Sequence, residues 1–294
     1  MLTRFAGFLF LLTWLVPRLE GSEISPDAIA TRAAAIEATT GGRLGVAVIE
    51  PDSQPWTGLH ANERFPMCST FKVLAVAAVL ARVDAGKEDL SRRIVFQKSD
   101  LMAYSPVTQE YTGGKGMTLA ELCEAAITHS DNTAANLLIA SVGGPAEVTA
   151  YVRTLGDKVT RLDRIEPHLN EAKPGDPRDT TTPAAMAKTL QVLVLGKALS
   201  KSSRDRLIAW LKANTTGDAR LRAGVPKDWV VGDKTGTGAH GSTNDIAVFW
   251  RPGRGPLVVA VYLTDTTAFE AQRNAAVASV GKAIAAVTKM GEMP

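Results

Sequence analysis

The chain has 294 residues, 45% of them hydrophobic, enough for one large core or two modest ones. Its 33 basic and 30 acidic residues leave a formal charge of +3, which is no footprint of a protein that binds nucleic acid or another polyanion. Two cysteines are too few for a disulfide scaffold, and four scattered histidines without a paired spacing give no metal-ligand pattern.

The N-terminus carries Arg4, an apolar run over residues 5–16, and small residues at Gly21 and Ser22. That is the layout of a secretory signal over residues 1–22, and the run is too short to span a bilayer. An N-terminal anchor is the alternative reading, and with no cysteine near the cleavage region a lipoprotein is disfavoured. Removal of Arg4, Arg18 and Glu20 with the signal leaves 31 basic and 29 acidic residues, a charge near +2. A periplasmic or secreted protein without stable membrane association is expected.

Residues 26–39 are alanine-rich and read as a helix stopped by Gly41 and Gly42. A strand follows at 43–49, ended by Pro51-Asp52, with a second near 56–60. Over residues 71–83 only Lys72 and Arg82 are charged, so the segment is apolar all round and reads as a buried central helix. Helical punctuation continues to about residue 213. Thr118-Leu119-Ala120-Glu121 is a capping box, Pro145 opens a helix that Gly156 closes, and Thr182-Pro183 opens another over 184–195 before Gly196. Between them, residues 160–181 form a long polar loop that needs internal pairing to stay compact. Beyond Asn214 the pattern reverts to strands at 229–234, 245–250 and 257–263, an antiparallel meander, and an amphipathic helix closes the chain over 269–290. The two ends, residues 23–61 and 214–294, are expected to form one discontinuous α/β domain, with an all-helical domain inserted over 62–213.

Chemistry concentrates where the central helix begins. Ser69 and Lys72 lie three apart, so on a helix the ammonium stands beside the hydroxyl. A lysine in apolar surroundings must find a partner or lose its proton, and a lysine so placed could activate the serine as a nucleophile. The spacing alone decides little, because Ser279 and Lys282 repeat it in the C-terminal helix with nothing chemical nearby. Three further patterns add weight. Ser130-Asp131-Asn132 lies at a helix entrance, where it could equally be an ordinary N-cap cluster. Lys234-Thr235-Gly236-Thr237 ends a strand, with Gly236 allowing close backbone approach to a ligand. Glu166 and Asn170, four apart in the polar loop, share a face if the segment turns helically.

Taken in order, S-x-x-K, S-D-N, E-x-x-x-N and K-T-G resemble the motif set of the class A serine β-lactamases, and the likeness extends over residues 24–290. It looks closest to the extended-spectrum and carbapenem-hydrolysing branches. The resemblance implies a two-domain α/β plus all-α fold, with a five-stranded antiparallel sheet flanked by helices. It implies a monomeric hydrolase of small-molecule β-lactams without metal or cofactor. Ser69 would attack the lactam carbonyl, with Lys72, or Glu166 through a water, taking its proton. The amides of Ser69 and Thr237 would form the oxyanion hole. Ser130, assisted by Lys234, would protonate the leaving nitrogen. Glu166 and Asn170 would hold the deacylating water, with a cis peptide bond following Glu166.

By the same resemblance Asn132 would bind the substrate's side-chain amide, and Thr235, Gly236 and Thr237 would line the carboxylate site. Arg220 would complete that site, or else be a solvated surface arginine. Tyr104 would wall the cleft mouth, and Arg164 with Asp179 would close the polar loop. Two departures stand out: no cysteine in 71–83 can bridge Cys123, and Gly238 and Ala239 stand where some carbapenem-hydrolysing relatives bridge a cysteine like Cys68. Both cysteines are then expected to be free, which counts against strong carbapenem turnover. A D-alanyl-D-alanine carboxypeptidase or transpeptidase and a penicillin-sensor domain share the Ser/Lys elements. The Glu166 and Asn170 pair argues against both.

Overall fold

The computed structural model describes residues 26–51 and 57–290. The segment read as an export signal lies outside them. Helix α1, Pro26–Thr40, ends where Gly41 and Gly42 adopt positive φ. Five strands then build one sheet: β1 Arg43–Ile49, β2 Thr57–Leu59, β3 Val230–Thr237, β4 Thr243–Trp250 and β5 Leu257–Thr264. Their order is β2-β1-β5-β4-β3, antiparallel throughout. The two ends of the chain therefore meet inside the sheet, where β1 pairs with β5 from Arg43 opposite Thr264 to Ile49 opposite Val258.

Strand β3 runs three residues past its expected end. Thr235, Gly236 and Thr237 show no apolar alternation, yet they pair with Asp245, Asn244 and Thr243, so the partner strand supplies the ladder. Strands β1 and β5 are apolar on both faces because both are covered. Leu44, Val46, Val259 and Val261 pack with Ile29 of α1 and Val277 and Ile284 of the C-terminal helix. Ala47, Val258, Ala260 and Tyr262 face the core shared with the helices.

Those helices are α2 Lys72–Asp84, α3 Leu119–Thr128, α4 Asn132–Val142, α5 Pro145–Thr154, α6 Pro183–Val194 and α7 Lys201–Lys212; a short α8, Leu221–Gly224, and α9, Glu270–Met290, follow. Every residue of α2 from Lys72 to Leu80 is buried. Burial of side chains such as Leu74, Val76 and Leu80 stabilises the fold by about 1.5–3 kcal/mol each. The expected capping box is present: Thr118 Oγ1 accepts from Glu121 N at 3.2 Å, and Thr118 N donates to Glu121 Oε2 at 2.7 Å.

Residues 62–213 are not helical alone. Phe65–Pro66 pairs with Thr180–Thr181, and Arg93–Ile94 with Met117–Thr118. Two-residue ladders are too short to leave a periodic trace in sequence. The first of them matters to the site, because it fastens the end of the polar loop to the chain entering α2.

Candidate active site

A 3₁₀ turn, Cys68–Phe71, precedes α2 and carries Ser69. Cys68 holds φ +45°, a left-handed conformation that costs a non-glycine residue about 1 kcal/mol or more and persists only when its surroundings fix it. The surroundings do so. Asn244 Nδ2 donates to the carbonyls of Pro66 and Met67 at 2.9 and 3.1 Å, and Thr70 Oγ1 donates to Met67 O at 2.8 Å. Gly236 brings β3 against the same turn: a Cβ there would stand 2.8 Å from Met67 O and 3.2 Å from Ser69 N. Both cysteines are free and buried, and burial pushes the Cys68 thiol up to about 12.

Lys72 Nζ donates to Ser69 Oγ at 3.1 Å, Ser130 O at 2.7 Å, Ser130 Oγ at 3.3 Å and Asn132 Oδ1 at 2.6 Å, and stands 3.3 Å from Glu166 Oε1. An ammonium has three protons and here faces five oxygens. Complete burial outweighs them and lowers the Lys72 pKa from its ordinary value, while the Glu166 carboxylate is the largest influence opposing the shift. Lys234 is also fully buried and donates to Ser130 Oγ at 2.9 Å and Thr235 O at 2.9 Å. Burial, reinforced by the Lys72 charge, holds its pKa well below the ordinary lysine value. Ser130, at φ +56°, thus presents one hydroxyl to two lysines. By contrast Ser279 and Lys282 are exposed, and Ser279 Oγ bonds only its own helix.

Glu166 is 1% exposed and is followed by a cis bond to Pro167. Asn170 Nδ2 donates to Glu166 Oε2 at 2.5 Å, so the two residues do share a face, through the 3₁₀ turn His168–Asn170. The Glu166 backbone is held by a residue that sequence reasoning missed. Asn136 Nδ2 donates to Glu166 O at 3.0 Å, and Glu166 N donates to Asn136 Oδ1 at 2.9 Å. The available signal was its spacing, four residues beyond Asn132 on the same helical face. Asp131, the N-cap of α4, does more than cap: its carboxylate also accepts from the amides of Val107 and Thr108 at 3.0 and 2.9 Å. Asn136→Ala removes both bonds to Glu166 and is expected to lower stability by about 2 kcal/mol and to slow turnover. Urea unfolding with steady-state kinetics checks this, and a loss under about 0.5 kcal/mol would contradict the clamp.

Arg220 is 6% exposed, which removes the reading of a solvated surface arginine. It donates to Gly236 O at 2.9 Å, Asn244 O at 2.8 Å, Thr237 Oγ1 at 2.7 Å and Asn274 Oδ1 at 2.9 Å. A cleft of about 380 Å³ gathers Ser69, Tyr104, Ser130, Asn132, Asn170, Arg220, Thr235, Gly236 and Thr237. Lys72, Glu166 and Lys234 stand buried behind its wall. Tyr104 is half exposed at the opening. Thr216, which shares a 2.5 Å hydroxyl contact with Thr235, and Glu270 also line the cleft, and neither was marked by a motif. Among the described residues no group of three or more His, Cys, Asp or Glu side chains could hold a metal ion.

The arrangement is a buried serine and lysine with a second serine and lysine, a carboxylate and amide pair, and a guanidinium-lined recess. Residues 28–288 match the Beta-lactamase enzyme family. The β-lactamase CTX-M-97 of Escherichia coli is 56% identical over 230 residues, 78% of this chain and 79% of that one. CTX-M-8 of Citrobacter amalonaticus is 52% identical over 251 residues, 85% and 86% of the two chains. A class A β-lactamase representing the last common ancestor of Gram-negative bacteria superposes with a TM-score of 0.87 at 61% identity, over 88% of this chain and 98% of that one. The chain belongs to the class A β-lactamase family. As a class A β-lactamase it hydrolyses the β-lactam amide bond and is an antibiotic-resistance enzyme. OXY-1 of Klebsiella oxytoca, at 48% identity over 260 residues, extends the similarity beyond the CTX-M group.

Proposed function

We propose that Ser69 is the nucleophile of a two-step hydrolysis and that Glu166 makes its second step fast. The observation that carries this reading is the double placement of Lys72, 3.1 Å from Ser69 Oγ and 3.3 Å from Glu166 Oε1. Ser69 attacks the lactam carbonyl, and its proton leaves to Lys72, or to Glu166 through a water. The developing oxyanion is met by the amides of Ser69 and Thr237, where Gly236 lets β3 approach the nucleophile turn. Lys72 serves as base only in its neutral form, which its burial favours. Ser130, bridged to Lys72 and Lys234, returns a proton to the lactam nitrogen as the C–N bond breaks. Glu166 with Asn170 then directs a water onto the Ser69 ester.

At the other end of the substrate, Thr235, Thr237 and Arg220 receive the carboxylate, and Asn132 the side-chain amide. Arg220 braces this site from behind through Gly236 O and Thr237 Oγ1. The spectrum proposed is that of an extended-spectrum enzyme acting on penicillins and cephalosporins. Strong carbapenem turnover is not part of it: Cys68 is a free thiol, and Gly238 beside it offers no sulfur. The enzyme is read as monomeric and as exported to the periplasm or beyond, on the signal-like residues 1–22.

Purified protein lacking that segment is expected to hydrolyse penicillins and early cephalosporins with many turnovers per molecule. A single stoichiometric burst without a steady state is the behaviour of a penicillin-acylated carboxypeptidase or sensor, and would overturn the assignment of Glu166 to deacylation.

A further inference from the structure

Glu270 opens α9, and its carboxylate is exposed at the rim of the cleft that holds Ser69, Arg220 and Thr237. Asn274, one helical turn further along the same face, accepts the Arg220 Nε proton at 2.9 Å. Helix α9 therefore places Glu270 and Asn274, one turn apart, at the Arg220 end of the cleft. Arg220 gives both Nη1 protons to Gly236 O and Asn244 O and one Nη2 proton to Thr237 Oγ1, and Glu270, which forms no hydrogen bond or ion pair with it, acts on it through charge alone. No hydrogen-bonded or ion-paired partner holds the Glu270 carboxylate among the described residues. Of the residues that line the cleft it is the sole acid, while the cations lie on and behind the floor.

The cleft thus has a polarity along its length. A positive recess at Arg220 suits the carboxylate every penicillin and cephalosporin carries. An unpaired negative charge stands just outside it. In a cephalosporin the ring carbon next to the carboxylate-bearing C-4 carries the variable C-3 substituent. Seating the carboxylate at Arg220 therefore delivers that substituent to the same end of the cleft. We propose that Glu270 is a specificity-determining residue that favours cephalosporins with a cationic C-3 substituent, a pyridinium or another quaternary ammonium, over those with an uncharged one. The inference rests on the carboxylate site proposed above. Because Glu270 is exposed, its effect is that of a surface ion pair, on the order of three- to fivefold in selectivity and reduced by salt.

The test compares two cephalosporins with the same C-7 acylamino chain, one with pyridiniomethyl and one with acetoxymethyl at C-3. Their kcat/KM ratio is measured on single preparations of the unsubstituted enzyme, Glu270→Gln and Glu270→Lys, so that differences in active fraction cancel. Glu270→Gln is expected to lower the pyridinium-to-acetoxy ratio about three- to fivefold, mainly through KM, and Glu270→Lys to lower it further. Raising salt from about 20 to 500 mM should lower the ratio for the unsubstituted enzyme but not for Glu270→Gln. A ratio unmoved in both variants, with both substrates hydrolysed at ordinary rates, would overturn the inference alone. Failure of the unsubstituted enzyme to turn over either substrate would overturn the hydrolytic reading and this one with it.

Discussion

Glu166→Ala is expected to reduce steady-state penicillin turnover by about 10³-fold or more while leaving acylation measurable, because a positioned general base contributes roughly 10²–10⁴-fold. The selective loss follows from geometry. Glu166 meets Asn170 through Oε2 and Lys72 through Oε1, whereas Ser69, Ser130 and Lys234 contact Lys72 or one another without it. Removing the carboxylate leaves the proton route from Ser69 to Ser130 in place and deletes the base for the second step. Stopped-flow traces should show a burst of one equivalent followed by a slow phase.

The pH dependence of that burst separates the two candidate bases for the first step. Lys72 titrates below its ordinary value because it is buried, and Glu166 is the strongest influence keeping it charged. Deleting Glu166 lowers the Lys72 pKa further, so more of the lysine is neutral at any given pH. If Lys72 takes the Ser69 proton, the rising limb of acylation in Glu166→Ala moves to lower pH. If acylation collapses instead at every pH, Glu166 is the base for both steps.

Asp179→Ala is expected to cost about 3 kcal/mol of stability and to slow turnover from a distance. Asp179 is 1% exposed, and its carboxylate accepts from Asp163 N at 2.7 Å, Arg164 N at 2.9 Å and Arg164 Nε at 2.6 Å. Breaking a buried pair typically costs 3–5 kcal/mol, since the surviving charge is left without compensation. The lower end applies because Arg164 keeps Glu171 at 2.6 Å. Alanine is also a poor fit to the φ of +56° at this position. The loop running from Arg161 to Thr181 would loosen and carry Glu166 with it. Denaturant unfolding, together with faster proteolysis within residues 160–181, checks this; an unchanged midpoint would contradict it. Asp179→Asn, which keeps acceptors for the two amides, should fall between.

The sequence made the scaffold readable wherever a local rule was strong. An unbroken apolar run could only be a buried helix at α2, and Thr118 with Glu121 wrote out its own cap. Pro183 after Thr182 did the same for α6. The polar loop was evident from its composition, and the Arg164 to Asp179 pairing from family resemblance. What escaped depends on contacts between distant segments. Arg220 had two readings because its burial is decided by Gly236, Asn244 and Asn274, residues 16, 24 and 54 positions away. Asn136 carries no motif, since an asparagine inside a helix is ordinary until a loop thirty residues later lays its backbone across it. Glu270 became part of the cleft only because α9 packs its first turn beside β4, where Arg273 Nε donates to Thr243 Oγ1 at 2.9 Å. The decoy at Ser279 shows the converse: a correct spacing means nothing where the pair is exposed and the serine bonds only its own helix.

The fate of Ser69 tests the mechanism most directly. Glu166→Ala, mixed with a penicillin and quenched in acid, should gain the full mass of the intact antibiotic in intact-protein mass spectrometry. Peptide mapping should place that mass on Ser69. No adduct, or an adduct on any other residue, would contradict the two-step mechanism proposed for this site.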